Sequence, residues 1–158
     1  MKRETISVKA GVESDTQFGA VMPPIYLSTN YTFEEIGRPR DFDYTRSGNP
    51  TRSLLGKALG SLEGGREAII TSSGMSAVTL LCNLLGKSDL LFAPHDCYGG
   101  THRLFTHFSK KGAFELEFHE QNSETFLKEI ELKKPKIIWL ETPSNPLLRV
   151  VDISLISK

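Results

Sequence analysis

The pattern of apolar and polar positions changes near residue 49. Before it, apolar residues follow no fixed period. Val21-Met22-Pro23-Pro24-Ile25 and Gly37-Arg38-Pro39-Arg40 are rich in turn formers, and the aromatics between them are scattered. Such a stretch predicts an extended arm that packs on something larger than itself, either the rest of this chain or another subunit. At Asn49-Pro50 a rhythm begins: Asn is a good N-cap, and Pro is tolerated at the first helical position. Leu54, Leu55, Ala58, Leu59 and Leu62 recur at helical spacing, and Gly64-Gly65 closes the helix.

Beyond that point short apolar runs alternate with helical patterns. Strands are expected at Ala68 to Thr71, Leu90 to Ala93, Phe114 to Phe118 and Lys136 to Leu140. Helices are expected from about Ala77 to Leu85, from about Thr101 to Lys110, and from Ser123 to Leu132. Regular alternation of this kind predicts an α/β fold with a parallel sheet covered on both faces, its strands apolar because both sides are buried. The expected division is an arm over 1–48 and the first part of an α/β domain over 49–158. Ligands of such sheets bind outside the carboxyl ends of the strands, which directs attention to the segments after residues 71, 93 and 140.

Composition narrows the classes. The 158 residues carry 19 Lys plus Arg and 19 Asp plus Glu, so no net charge draws the chain toward nucleic acid or an anionic membrane. No apolar run approaches the roughly 20 residues that span a bilayer. Met1 to Thr5 is charged with no apolar stretch behind it, so it does not read as a signal peptide. Two cysteines, Cys82 and Cys97, are too few for a disulfide framework, and a reducing, cytoplasmic setting is expected.

The strand-end segments hold the candidate chemistry. Ser72-Ser73-Gly74-Met75-Ser76 is a small-residue turn entering a helix. It reads as a phosphate cradle of backbone N–H groups or as an ordinary serine-capped turn, the commoner case for such a segment alone. No Gly-x-x-x-x-Gly-Lys-Ser/Thr and no Gly-x-Gly-x-x-Gly occurs. In Pro94 to Arg103, Tyr98 precedes two glycines that would let the backbone bend around an aromatic ligand lying on its ring, and Arg103 would reach a carboxylate or phosphate. The alternative is a packed tyrosine and a solvated arginine. His95, Asp96, Cys97 and His102 match no common zinc spacing, so no metal is expected. In Glu141-Thr142-Pro143-Ser144-Asn145-Pro146, two prolines bracket an amide that either meets a ligand or closes its own turn. In the arm, Tyr44 and Arg46 stand two residues apart in a segment read as extended. They would face the same way and grip one phosphate, or simply face solvent.

In combination and order these segments are specific. Tyr44-Thr45-Arg46-Ser47-Gly48-Asn49-Pro50-Thr51, Ser73-Gly74-Met75-Ser76-Ala77, Tyr98-Gly99-Gly100-Thr101 and Glu141 to Pro146 together resemble the Cys/Met-metabolism family of pyridoxal-phosphate enzymes. The resemblance covers essentially the whole chain. It implies an N-terminal arm plus part of the parallel sheet of the large domain of the aspartate-aminotransferase-like, fold type I transferases, with pyridoxal 5'-phosphate as cofactor.

By resemblance, the amides of Gly74 and Met75 hold the cofactor phosphate, and Tyr98 stacks on its ring and takes part in proton traffic. Asn145 lies near the ring's phenolic oxygen. Tyr44 and Arg46 hold the phosphate of a neighbouring subunit. Asp43 and Arg103 contact substrate, Arg103 at a distal carboxylate.

The implied reaction is a γ-replacement joining an O-succinyl- or O-acetylhomoserine to cysteine. A γ-elimination or a sulfhydrylation is the alternative within the family, and a non-catalytic α/β fragment is the alternative outside it. The implied assembly is a homotetramer built as a dimer of dimers, with small amino-acid substrates and no nucleic-acid or membrane partner. Ser47 stands where some γ-replacing members carry a second arginine, which leaves the acyl preference and the reaction branch open. The family's cofactor-bonding lysine falls in a Ser/Thr-x-Thr-Lys motif beyond residue 158, and Lys158 itself is in no such motif, so the chain by itself is expected to be inactive.

Overall fold

The computed structural model describes residues 2–157; Lys158 lies outside the described residues. The chain forms two compact units, Met1–Ile70 and Thr71–Lys158.

In the first unit, α1 (Arg3–Lys9) packs against α2 (Pro50–Leu62). The sequence pattern predicts no helix in the arm. The seven residues of α1 are too few to show a period, and no side chain caps their start. α2 begins as its cap predicts: the Asn49 side-chain oxygen accepts from the Thr51 and Arg52 N–H groups. The two N–H groups of the Asn49 amide are shared among Tyr26 O, Tyr31 Oη and Thr45 Oγ1, all within hydrogen-bonding distance, so one buried side chain starts the helix and pins the arm to it.

The expected strand at Ala68 to Thr71 does not form; the backbone at its start is held against α2 instead of in a sheet. Gly56 and Gly60 leave a groove in α2 so tight that a Cβ at either would lie 2.7 Å from the backbone of Ala68 or Glu67. The Ala68 N–H donates to Gly56 O across that groove. Ile69 is left 77% exposed.

The second unit is a three-stranded parallel sheet in the order β2-β1-β3, made by β1 (Leu90–Pro94), β2 (Glu115–His119) and β3 (Ile137–Ile138). α4 (Gly99–Lys110) connects β1 to β2, and α5 (Glu124–Lys133) connects β2 to β3. α3 (Gly74–Cys82) precedes the sheet, and a short α6 (Ile153–Ile156) follows it. Successive residues of β1 face opposite sides. Leu91 and Ala93 join Val78, Cys82, Phe105 and Phe114 in one buried cluster, whereas Phe92 packs against His119 and Phe126.

Only β1 is buried almost throughout. β2 is a partly exposed edge, and β3 is shorter than its apolar run suggests. The central strand is therefore doubly buried as expected, and the outer two are not. α3 starts three residues before its predicted start, because Ser73 supplies the N-cap through its hydroxyl. The Ser-Gly-Met turn is thus the first turn of a helix.

Candidate functional site

The second unit gathers three of its candidate segments at the carboxyl end of the sheet. At the start of α3, the Ser76 N–H donates to Ser73 Oγ and the Ala77 N–H to Ser73 O. Among the described residues this leaves the N–H groups of Gly74 and Met75 without a protein acceptor. Both lie at the positive end of the helix dipole. A Cβ at Gly74 would meet nothing within 4 Å, so the helix start is open on that side.

Tyr98 is the N-cap residue of α4 without capping it by its side chain. Its ring instead folds back over the helix: a Cβ at Gly100 would lie 2.6 Å from Tyr98 Cε1 and 3.1 Å from Met75 Sδ. The ring is therefore seated on Gly100, next to the methionine that opens α3, and remains 50% exposed. Gly99 does the same for Arg103, whose Nη1 is 3.3 Å from a Cβ built there. Side chains on a helix lean toward its N-terminus, which brings Arg103 back over the first turn. The two glycines are ordinary helical residues that make room for a ring and a guanidinium. The bent backbone expected of them is not what they provide.

The loops that follow β1 and β3 are stitched together. Glu141 Oε2 accepts the Tyr98 N–H at 2.7 Å, and Glu141 Oε1 accepts the Trp139 Nε1–H at 3.0 Å. Ser144 Oγ donates to Asp96 Oδ2 at 2.7 Å. Ser144 also closes the proline turn, its N–H donating to Arg149 O and its hydroxyl accepting the Arg149 N–H. The backbone of Ser144 thus does the turn-closing work that Asn145 was a candidate for. The Asn145 amide is exposed and has no hydrogen bond among the described residues. The Thr142-Pro143 and Asn145-Pro146 peptide bonds are cis.

Cys97 sits between Asp96 and Tyr98, buried. Burial first, and then the Glu141 carboxylate, push its thiol up to about 11, so it stays protonated at neutral pH. His102 is stacked on Phe118 with ring centroids 4.3 Å apart, and His95 Nε2 lies 3.1 Å from Arg149 Nη1. The roles of Glu141, Trp139 and Ser144 escape sequence reasoning: Glu141 and Ser144 lie in a segment singled out for its prolines and its Asn145, and nothing local reveals their distant partners.

In the first unit, Tyr44 pairs with Asn30 in an isolated antiparallel bridge and then enters a turn, its carbonyl accepting from the Ser47 and Gly48 N–H groups. Tyr44 and Arg46 do not share a face of an extended strand. The turn brings them together instead, with the Arg46 guanidinium 5.1 Å from the Tyr44 ring centroid. Arg52 Nη2–H donates to Arg46 O, and Arg46, Ser47 and Arg52 line an open cavity of about 530 Å³. Asp43 is tied to the local backbone, its carboxylate accepting the Tyr44 N–H and its carbonyl the Tyr31 N–H.

Free helix-terminal donors beside a seated aromatic ring, at the carboxyl end of a parallel sheet, define an α/β domain suited to a ligand that joins an anion to a flat ring. Residues 4–158 match the family described as Cys/Met metabolism PLP-dependent enzyme, and the chain belongs to that family. The cofactor of the family is pyridoxal 5'-phosphate. The fold is accordingly an N-terminal arm with part of the parallel sheet of the fold type I large domain.

Cystathionine gamma-synthase of Escherichia coli (strain K12) is 49% identical over 98% of this chain and 40% of its own length. A Bacillus subtilis (strain 168) relative, cystathionine gamma-synthase/O-acetylhomoserine (thiol)-lyase, is 38% identical over 98% of this chain and 42% of its own. The crystal structure of cystathionine gamma synthase from Xanthomonas oryzae pv. oryzae, in complex with aminoacrylate and cysteine, superposes with a TM-score of 0.94. It is 48% identical over 99% of this chain and 41% of that one. Other relatives are named cystathionine beta-lyase and cystathionine gamma-lyase. The chain spans about two fifths of the length of the curated relatives it matches.

Proposed function

We propose that this chain is the cofactor-holding N-terminal portion of a cystathionine γ-synthase, which joins an O-acylhomoserine to cysteine. The observation that carries the reading is the Tyr98 ring seated on Gly100 beside Met75, with the free Gly74 and Met75 N–H groups on the same helix end.

These residues fit pyridoxal 5'-phosphate. Two unpaired helix-terminal donors suit its phosphate, and a half-exposed ring suits its pyridine. When bound, the cofactor supplies an electron sink for carbanion chemistry. The donors at Gly74 and Met75 would hold the phosphate, and Tyr98 would stack on the ring and carry a proton at its hydroxyl near the substrate amine. The exposed Asn145 amide is available to the ring's phenolic oxygen. Arg103, folded over Gly99, is placed to meet a substrate carboxylate, as a planar guanidinium does well. Asp43 takes the substrate-contacting role in the arm.

The same reading gives Tyr44 and Arg46 to the phosphate of a neighbouring subunit. The arm over 1–48 then belongs to a subunit interface of a cytoplasmic homotetramer, a dimer of dimers. The many exposed apolar side chains of that arm support this assignment.

Relatives named as lyases, and one with a double name, favour a second reading as a cystathionine γ-lyase or O-acylhomoserine sulfhydrylase. Ser47 next to Arg46 leaves room for both. The test is the protein expressed from its complete reading frame, offered O-succinyl- or O-acetylhomoserine with cysteine, and separately cystathionine alone. Cystathionine formation is expected. Cystathionine breakdown without synthesis would overturn the assignment.

A further inference from the structure

We propose that Glu141 is the positioning residue of Tyr98, setting the height of its ring at the ligand site through the backbone rather than through the side chain. The inference rests on the pyridoxal-phosphate reading of the site.

Glu141 lies just beyond β3 and reaches across to the segment after β1, 43 residues away in sequence. Its two oxygens are divided between two donors: the Tyr98 N–H at 2.7 Å and the Trp139 indole N–H at 3.0 Å. Trp139 is itself held, its ring edge-on to Phe105 at 5.6 Å and 82°. Phe105 is buried in the core face of α4, the helix that Tyr98 opens.

The contacts therefore form a closed circuit, from the core face of α4 through Trp139 and Glu141 back to that helix's own N-cap. Such a circuit leaves Tyr98 little freedom to rise or tilt. No Ser, Thr, Asn or Asp stands at this N-cap and the Tyr98 side chain does not cap it, so the residue that occupies it is located from outside the helix. Both partners of Glu141 are donors, and the site needs two acceptors. A carboxylate offers that, whereas an amide must turn its NH2 toward one of the two N–H groups.

The test uses the protein expressed from its complete reading frame, stripped of cofactor, with pyridoxal 5'-phosphate binding measured by equilibrium dialysis. Four forms are compared: the unaltered protein, Tyr98→Ala, Glu141→Gln, and the double variant. Glu141→Gln is expected to weaken binding about tenfold, the effect of losing one hydrogen bond to a charged acceptor. Tyr98→Ala is expected to weaken it at least as much, and the double variant no further than Tyr98→Ala alone.

That non-additivity is what an effect routed through Tyr98 requires, and a general loosening of the loop would add instead. A loss below about threefold for Glu141→Gln, or one that persists in full in the Tyr98→Ala background, overturns the proposal. Unchanged binding by Tyr98→Ala overturns the underlying ligand reading, and does so before Glu141 is altered, so the two failures are told apart. If the Gln variant does not fold, Glu141→Asp takes its place in the same cycle. It keeps two acceptors on a shorter stem that reaches the two donors less well.

Discussion

The two units solve the same problem, holding polar functional groups in place, by different means. In the second, a central strand of buried Leu91, Phe92, Ala93 and Pro94 carries helices and loops whose positions follow from apolar packing. In the first, the arm has few buried side chains, and Leu27 and Phe18 are 90% and 83% exposed. What order it has comes from individual polar residues: Asn49, whose oxygen and NH2 reach five partners, and a bridge between Asn30 and Tyr44. A region held by packing spreads the cost of any single change. A region held by one side chain concentrates it.

The largest contrast is expected in the cores. Phe92→Ala in the second unit should destabilise by about 3–5 kcal/mol, since a fully buried ring is lost and a cavity remains. Leu27→Ala in the arm should change the stability of the unassociated subunit, where its side chain is exposed, by less than about 0.5 kcal/mol. Urea unfolding of the two variants measures both, and similar losses would abolish the contrast.

Asn49→Ala comes next. It removes a helix cap and the two amide N–H groups that tie down the arm, and about 2 kcal/mol is expected. The same urea experiment reads it, and a change below about 0.5 kcal/mol would mean that the arm is held by something other than Asn49.

Gly100→Ala tests the site more than the fold. The added methyl collides with the Tyr98 ring, which is half exposed and free to swing aside. Dialysis should then show weaker pyridoxal-phosphate binding with an unchanged unfolding midpoint. A lowered midpoint with unchanged binding would make Tyr98 a packing residue.

The smallest effect is alkaline. The Cys97 thiol is raised from 9.0 to about 11 on folding, chiefly by burial and then by Glu141. The folded state therefore holds this proton more tightly than the unfolded one. The contribution is fully present below pH 9 and is lost as pH rises toward 11. Stability curves over that window should fall less steeply for Cys97→Ala. An identical slope would mean that the thiol is not what titrates.

These contrasts also explain what was legible in the sequence. Helices α2, α4 and α5 and strand β1 follow from runs and periods of apolar residues and, for α2, from the cap at Asn49. The strand expected at Ala68 to Thr71 was misread because an apolar run does not disclose its partner. Two glycines in the preceding helix, Gly56 and Gly60, decide the matter by admitting the backbone. The start of α3 differs for a related reason: Ser73, four residues ahead of the expected start at Ala77, is the true cap. At the candidate site, roles for Tyr98, Gly74 and Arg103 were legible only through the resemblance of the combined segments to the family, since each segment alone also reads as ordinary structure. Glu141 and Ser144 were not, since their partners lie 43 and 48 residues away and only the folded sheet brings them together.

The central claim is that the start of α3 and the Tyr98 ring form one cofactor seat. A crystal structure of the protein with pyridoxal 5'-phosphate bound tests it most directly. The account predicts the phosphate within hydrogen-bonding distance of the Gly74 and Met75 N–H groups and the pyridine ring lying against Tyr98. A phosphate bound elsewhere, with those two N–H groups turned to water, would contradict it.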